Sequence, residues 1–234
     1  MNKPMLILTR PAPNANAFLD MIAPDLLARV SVLISPLLQI SGTATPVLMQ
    51  GIEGVIFTSA NGVAFGPDGL GRTAYCVGAK TTQAAKEKGW RAQILGQNAD
   101  ELVTALIKTQ PNAPLLHICG HHQRGDIASR LSQAGLRTTA VTVYDQTLLP
   151  LSDQAKHVLA SGETCIVPLF SPRTATQFAR ECPDFHHVVV IALSRAVADA
   201  LGYQKPQDLL IADEPTANSM RLVLETAVDW GRLA

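Results

Sequence analysis

The sequence predicts an α/β protein of two doubly wound, parallel, five-stranded sheet domains, flavodoxin-like and related by duplication. One domain is inserted into the other and joined to it by a two-stranded bridge. Three observations predict this. Short β-branched runs alternate with helical patterns nearly throughout, the signature of parallel sheets with crossover helices. The stretch FTSANGV, Phe57 to Val63, is written again as LFSPRTA, Leu169 to Ala175, each an apolar run giving way to a serine placed to cap a helix. Five strands fall between Gly54 and Val143 but only three from Thr164 onward, so two amino-terminal strands must complete the second sheet.

In chain order, Met5 to Thr9 is the first strand, followed by a helical pattern from Asn14 to Ile22 and a strand from Val30 to Ser35. VSVLISPLLQISG, Val30 to Gly42, is longer and more extended than an ordinary strand-to-helix loop, and RTTAVTVYDQTLL, Arg137 to Leu149, matches it; these are the two crossings. Between them, strands Gly54 to Thr58, Thr73 to Val77, Ala92 to Leu95, Leu115 to Cys119 and Thr138 to Val143 alternate with helices Ala60 to Phe65, Ala79 to Lys88, Ala99 to Lys108 and Asp126 to Ala134. After the return come helix Ser152 to Ala160, strand Thr164 to Leu169, helix Pro172 to Arg180, strand His187 to Leu193, helix Arg195 to Leu201, strand Asp208 to Ala212 and helix Ala217 to Asp229. The expected domains are residues 1–36 with 148–234, and 42–141, with 37–41 and 142–147 as the connecting bridge and hinge.

The repeat reaches past the opening turn. YCVGAKTTQAAKEKGW, Tyr75 to Trp90, lines up with VIALSRAVADALGY, Val190 to Tyr203, each a strand, a small-residue turn, an Ala-rich helix and a Gly-aromatic stop. ILGQNADELVTAL then resembles IADEPTANSMRLVL in the same order, and duplication is the economical explanation.

Composition limits the function classes. Of 234 residues, 47% are hydrophobic and only 16% charged, with 19 basic against 19 acidic side chains, so no global charge favours nucleic acid or an anionic membrane. MNKPMLILTRP is too brief an apolar run for a signal peptide, and no stretch of about 20 apolar residues occurs, so a cytoplasmic protein is expected. Cys76, Cys119, Cys165 and Cys182 show no CxxC spacing and read as buried reduced thiols. There is neither a GxGxxG nor a GxxxxGK[ST] motif to support nucleotide binding.

Ligands of open α/β sheets bind beyond the carboxyl ends of the strands, where helix amino termini gather. Here those ends carry Arg10; Thr58, Ser59 and Asn61; Gly78, Lys80 and Thr81; Gly120 and His121; Ser171 and Arg173; and Ser194 and Arg195. Free N–H groups and hydroxyls at helix starts suit carboxylates or phosphates, each contributing about 0.3 to 1 kcal/mol. A polyanion could be held this way without net basic charge. The alternation His117, Cys119, His121 invites a metal reading, but the run has no closing partner elsewhere, and no metal site is expected.

LTRP near the start, FTSANGV, YCVGAKTTQAA, LLHICGHHQRGDIASRLSQAGL with VTVYDQT, LFSPRTATQF, and IALSRAVADAL with IADEPT together resemble the uroporphyrinogen-III synthase family, in order along nearly the whole chain. Each motif alone is a generic strand-turn-helix. The weight lies in their succession.

The resemblance implies a cofactor-free lyase of tetrapyrrole (heme) biosynthesis. Hydroxymethylbilane loses its terminal hydroxyl as water, ring D attacks the resulting azafulvene through its substituted carbon, and the spiro intermediate so formed fragments at a bond of the spiro carbon and then recloses with ring D inverted. The enzyme acts largely by folding a flexible polycarboxylate in a cleft between its two domains. A monomer is implied, with transient contact with hydroxymethylbilane synthase. Tyr144 matches the family tyrosine near the departing hydroxyl, a phenol protonated at neutral pH. Its plainer reading is an aromatic packed on a bridge strand. Thr81 matches a family threonine and is expected beside Tyr144 as a catalytic residue, and Ser171 matches the serine of the SP turn as a substrate-binding residue; both also read as ordinary helix-start residues. The sequence departs from the family at Arg195 and Ala196, where threonines are common, and at Cys119, where an arginine often stands; His121, His122 or Arg124 could compensate. A second reading is a non-catalytic two-lobed binding protein for an acidic metabolite. A third is a sugar-nucleotide transferase, for which the chain is short.

Overall fold

The computed structural model describes residues 3–122 and 125–230. In chain order the elements are β1 (Met5–Leu8), α1 (Ala12–Leu19), α2 (Pro24–Leu27), β2 (Ser31–Ile34), β3 (Leu38–Gly42), β4 (Gly54–Phe57), α3 (Ala60–Phe65), β5 (Thr73–Val77), α4 (Gly78–Glu87), β6 (Arg91–Gly96) and α5 (Ala99–Thr109). There follow β7 (Leu115–Gly120), α6 (Ile127–Gln133), β8 (Thr138–Leu148), α7 (Asp153–Ala160), β9 (Cys165–Leu169), α8 (Pro172–Glu181), β10 (Val188–Ala192), α9 (Arg195–Asp199), β11 (Asp208–Ile211) and α10 (Ala217–Trp230). The chain divides into two compact units, residues 1–39 with 147–234, and 40–146.

Unit 1 holds a five-stranded sheet in the order β11-β10-β9-β1-β2, with every pair parallel. Counted within the unit this is 2-1-3-4-5, the flavodoxin order. The central strands β9 (CIVPL) and β10 (VVVIA) are buried at every position, as expected where helices cover both faces. Along β1, Leu6 and Leu8 enter one core cluster and Ile7 the other, the period-two alternation that splits a core across a sheet. Pro168 stands inside β9, and the β1–β9 pairing stops at Ile166, just before the ring that has no N–H to contribute.

The second sheet is β3-β8-β7-β4-β5-β6, so it has six strands rather than the expected five. The added strand is β3. Its residues were expected to serve as bridge, but an extended segment lying beside the eleven-residue β8 continues the ladder. Beyond β3 the pairing goes on, with the Thr43 N–H donating to the Val143 carbonyl at 2.9 Å and the Thr43 hydroxyl to the Thr142 carbonyl at 2.8 Å.

Set aside β3, and the two sheets have one spatial order. Matching β4-β5-β6 to β9-β10-β11, as the repeated sequences do, places β7 and β8 where β1 and β2 stand. Unit 2 is thus the same arrangement entered at a different strand, a circular shift, and its own count is 3-2-1-4-5 rather than the flavodoxin order expected for both. The repeat correspondence holds strand for strand.

Candidate functional site

All pairings described among β4, β5, β6, β7 and β8 are parallel, so the carboxyl ends of these strands open on one edge of the unit 2 sheet. A cavity of about 290 Å³ lies there. Thr58 and Ser59 enter it from the turn after β4, Val77 from the end of β5, Ala99 from the start of α5, Cys119, Gly120 and His122 from the end of β7, and Tyr144 from β8. Two larger depressions, of about 360 and 410 Å³, sit at the opposite, amino-terminal ends of strands, beside Leu115 and Thr138 and beside Thr73 and Ala92.

Tyr144 reaches the cavity through an irregularity. The β7–β8 register runs Cys119 to Thr142 and then Gly120 to Tyr144, skipping Val143. The slip makes Tyr144 the neighbour of Gly120, and the His121 N–H donates to the Tyr144 carbonyl at 2.9 Å. The phenol is 6% exposed and stacks on Phe65 of α3 with ring centroids 6.0 Å apart. Burial raises its pKa, opposed by a hydrogen bond with the Ser59 side chain, so it is a neutral proton donor at physiological pH.

Ser59 also caps α3, accepting from the Asn61 N–H at 3.1 Å. The far end of that short helix is held by Lys88, whose Nζ donates to the carbonyls of Val63, Ala64 and Gly66 at 3.0, 2.9 and 2.6 Å. α5 opens on Asn98, whose side-chain oxygen accepts from the Glu101 N–H at 3.0 Å while its side-chain amide donates to the Glu101 carboxylate at 2.7 Å; that carboxylate also accepts from the Gln97 N–H at 2.8 Å, and this reciprocal cap starts the helix at Ala99, at the cavity edge. The Cys119 thiol, pushed up to about 11 by burial, donates to the Val141 carbonyl at 3.3 Å and is not a nucleophile. His122 is exposed, with Nε2 3.9 Å from Asp145 Oδ1.

The unit 2 candidates therefore divide. Thr58, Ser59, Gly120 and Tyr144 line one cavity. Asn61 stands in the first turn of α3. Gly78 opens α4 at φ +72, and Lys80 is exposed in the same first turn. Thr81 is 6% exposed on the buried side of α4 and does not line the cavity. His121 is exposed at the end of β7, its ring against that of His122 with centroids 5.3 Å apart. Arg124 lies outside the described residues. Phe65 and His117 carry parts of this site that the sequence reading did not assign. Phe65 could have been found from its place on α3, two turns beyond the capping Ser59.

In unit 1, Arg10 lies over the Phe170 ring with Cζ 4.1 Å from its centroid, and burial lowers its pKa while leaving it cationic. Ser171 caps α8 by accepting from the Thr174 N–H at 3.2 Å. Arg173 stands in the first turn of the same helix. Ser194 begins α9 without a side-chain cap bond, and the exposed Arg195 approaches Asp199 at 3.9 Å. His117 and Cys119 are buried while His121 is exposed, and among the described residues no group of three His, Cys, Asp or Glu side chains could hold a metal ion. No helix among the described residues is long and apolar enough to cross a membrane.

The family model for uroporphyrinogen-III synthase HemD matches residues 28–221, from the end of α2 into α10. The chain belongs to the uroporphyrinogen-III synthase family. Solved structures are similar in fold. The uroporphyrinogen-III synthetase of Helicobacter pylori matches with a TM-score of 0.67 at 16% identity, covering 97% of this chain and 99% of that one. A mutant uroporphyrinogen III synthase of Thermus thermophilus matches with a TM-score of 0.54 at 18% identity, again over 97% and 99% of the two chains. No curated protein sequence matches.

Proposed function

We propose that this chain catalyses the uroporphyrinogen-III synthase reaction: loss of water from hydroxymethylbilane and cyclisation with inversion of ring D, a lyase reaction requiring no cofactor. Family membership supports this and does not favour the non-catalytic binding protein. The observation that carries the mechanism is Tyr144, a buried neutral phenol in a cavity at the carboxyl edge of the sheet. It donates a hydrogen bond or proton to the departing hydroxyl. Thr58 and Ser59 supply neutral donors beside it, and the helix starts at Ser171 and Ser194, with Arg10, Lys80, Arg173 and Arg195, supply counter-groups for carboxylates. Thr81 acts in this reading through the packing of α4.

The domain arrangement proposed with it is the inserted one, residues 37–41 and 142–147 forming the bridge; it is supported by β3 and β8, hydrogen-bonded neighbours that run through those segments. A monomer acting in the cytoplasm, in transient contact with hydroxymethylbilane synthase, belongs to the same reading. The test is a coupled assay in which hydroxymethylbilane is generated enzymatically, the protein is added, and the oxidised uroporphyrin isomers are separated. Predominant type III isomer supports the assignment, and type I alone rejects it.

A further inference from the structure

His117 lies in β7, opposite Ile56 of β4, and is 1% exposed. Its Nε2 is 3.4 Å from the Thr58 hydroxyl oxygen, and its Nδ1 has no partner among the described residues. Burial holds the ring's pKa down at about 4, so it is neutral under working conditions. A neutral imidazole carries one N–H, and the site of that proton sets which way the Thr58 hydroxyl must turn. With the proton on Nδ1, a buried N–H would be orphaned. On Nε2, the proton meets Thr58, and only a lone pair is left unpaired, the less costly of the two omissions.

We infer that His117 is a positioning residue: its Nε2–H donates to the Thr58 oxygen, which commits the Thr58 hydroxyl to donate its own proton into the cavity, toward a carboxylate oxygen of the substrate. This rests on the assignment of the cavity as the substrate site. Among the described residues Thr58 Oγ1 has no other hydrogen-bond partner, so nothing else competes for the direction of its hydrogen. A donor fixed before binding favours an anionic oxygen and disfavours a donor group in the same place.

Nitrogen NMR of the imidazole in the unaltered protein should place the proton on Nε2. In steady-state assays, Thr58→Val and His117→Phe should each raise KM by about five- to fifteen-fold with kcat nearly unchanged, the loss of one hydrogen bond made equally to substrate and transition state. The double variant should be no worse than either single one, and His117→Gln, whose amide can still donate, should recover most of the loss. A proton on Nδ1, or additive losses in the double variant, would overturn the inference and leave the functional assignment intact. Failure of the unaltered protein to form type III isomer would overturn the assignment, while the NMR result would still stand for His117 and Thr58.

Discussion

Tyr144 lies directly on the backbone of Gly120: a methyl group added to that glycine would stand 2.4 Å from the phenol Cζ and 2.5 Å from Cε2. The glycine is required here for the space above it. Because the register slip sets Tyr144 opposite Gly120, the ring occupies the place a side chain would take, and Phe65 of α3 stacks on it. The catalytic candidate is therefore clamped between a strand and a helix of one unit.

Gly120→Ala should push the ring out of that position. The expected result is a loss of activity comparable to that of Tyr144→Phe, with a cost in stability of about 1–3 kcal/mol from overpacking. Rates and denaturant unfolding measured on the same preparations separate the two effects. In a Tyr144→Ala background the stability cost should largely vanish, and a cost that persists would show that the ring is not the obstacle.

Tyr144→Phe keeps the stacked ring and removes the donor. Turnover should fall by about 10²- to 10⁴-fold, the range for a positioned proton donor, while product affinity changes little. Since burial raises the phenol's pKa, the rate should show no alkaline decline from this group below about pH 10. A rate close to that of the unaltered enzyme would remove Tyr144 from the mechanism.

Lys88→Met should loosen α3 without touching the chemistry. A cation hydrogen-bonded to three terminal carbonyls answers the negative end of the helix, and its loss should cost about 1.5–3 kcal/mol. Faster amide exchange over Ala60–Phe65, at the end nearer Gly66, is the direct readout.

His117 makes stability depend on pH. The unfolded imidazole takes its proton near pH 6.5, but the folded one only near pH 4. Between those values the unfolded state binds more protons, so stability is full above about pH 6.5 and is lost as pH falls toward 4, by roughly 3 kcal/mol at most. Urea melts from pH 7 to 4 should show a shallower slope for His117→Gln than for the unaltered chain. Parallel slopes would mean that the ring is charged or hydrated in the folded protein.

The helix starts were legible because they are local. Ser59 and Ser171 each follow a buried apolar run, and each caps the helix expected of it. The strand-helix alternation was legible for the same reason, since burial on both faces of β9 and β10 demands unbroken apolar runs. Thr81 shows the limit: its matched position gave the turn it occupies, while the packing of α4 determined that its side chain is buried away from the cavity.

By itself the sequence determined the α/β class, the paired strand-turn-helix units and their capping serines, because these follow from periodicity and from what a backbone N–H needs within a few residues. Only the tertiary structure decided that unit 2 runs its strands in a shifted order, that β3 joins as a sixth strand, and that skipping Val143 delivers Tyr144 onto Gly120. It also decided that His117 is sealed behind Thr58. Register and burial arise from pairing between segments far apart in the chain: the alternation within a strand settles which side chains share a face, and only the partner strand decides which residue each of them meets.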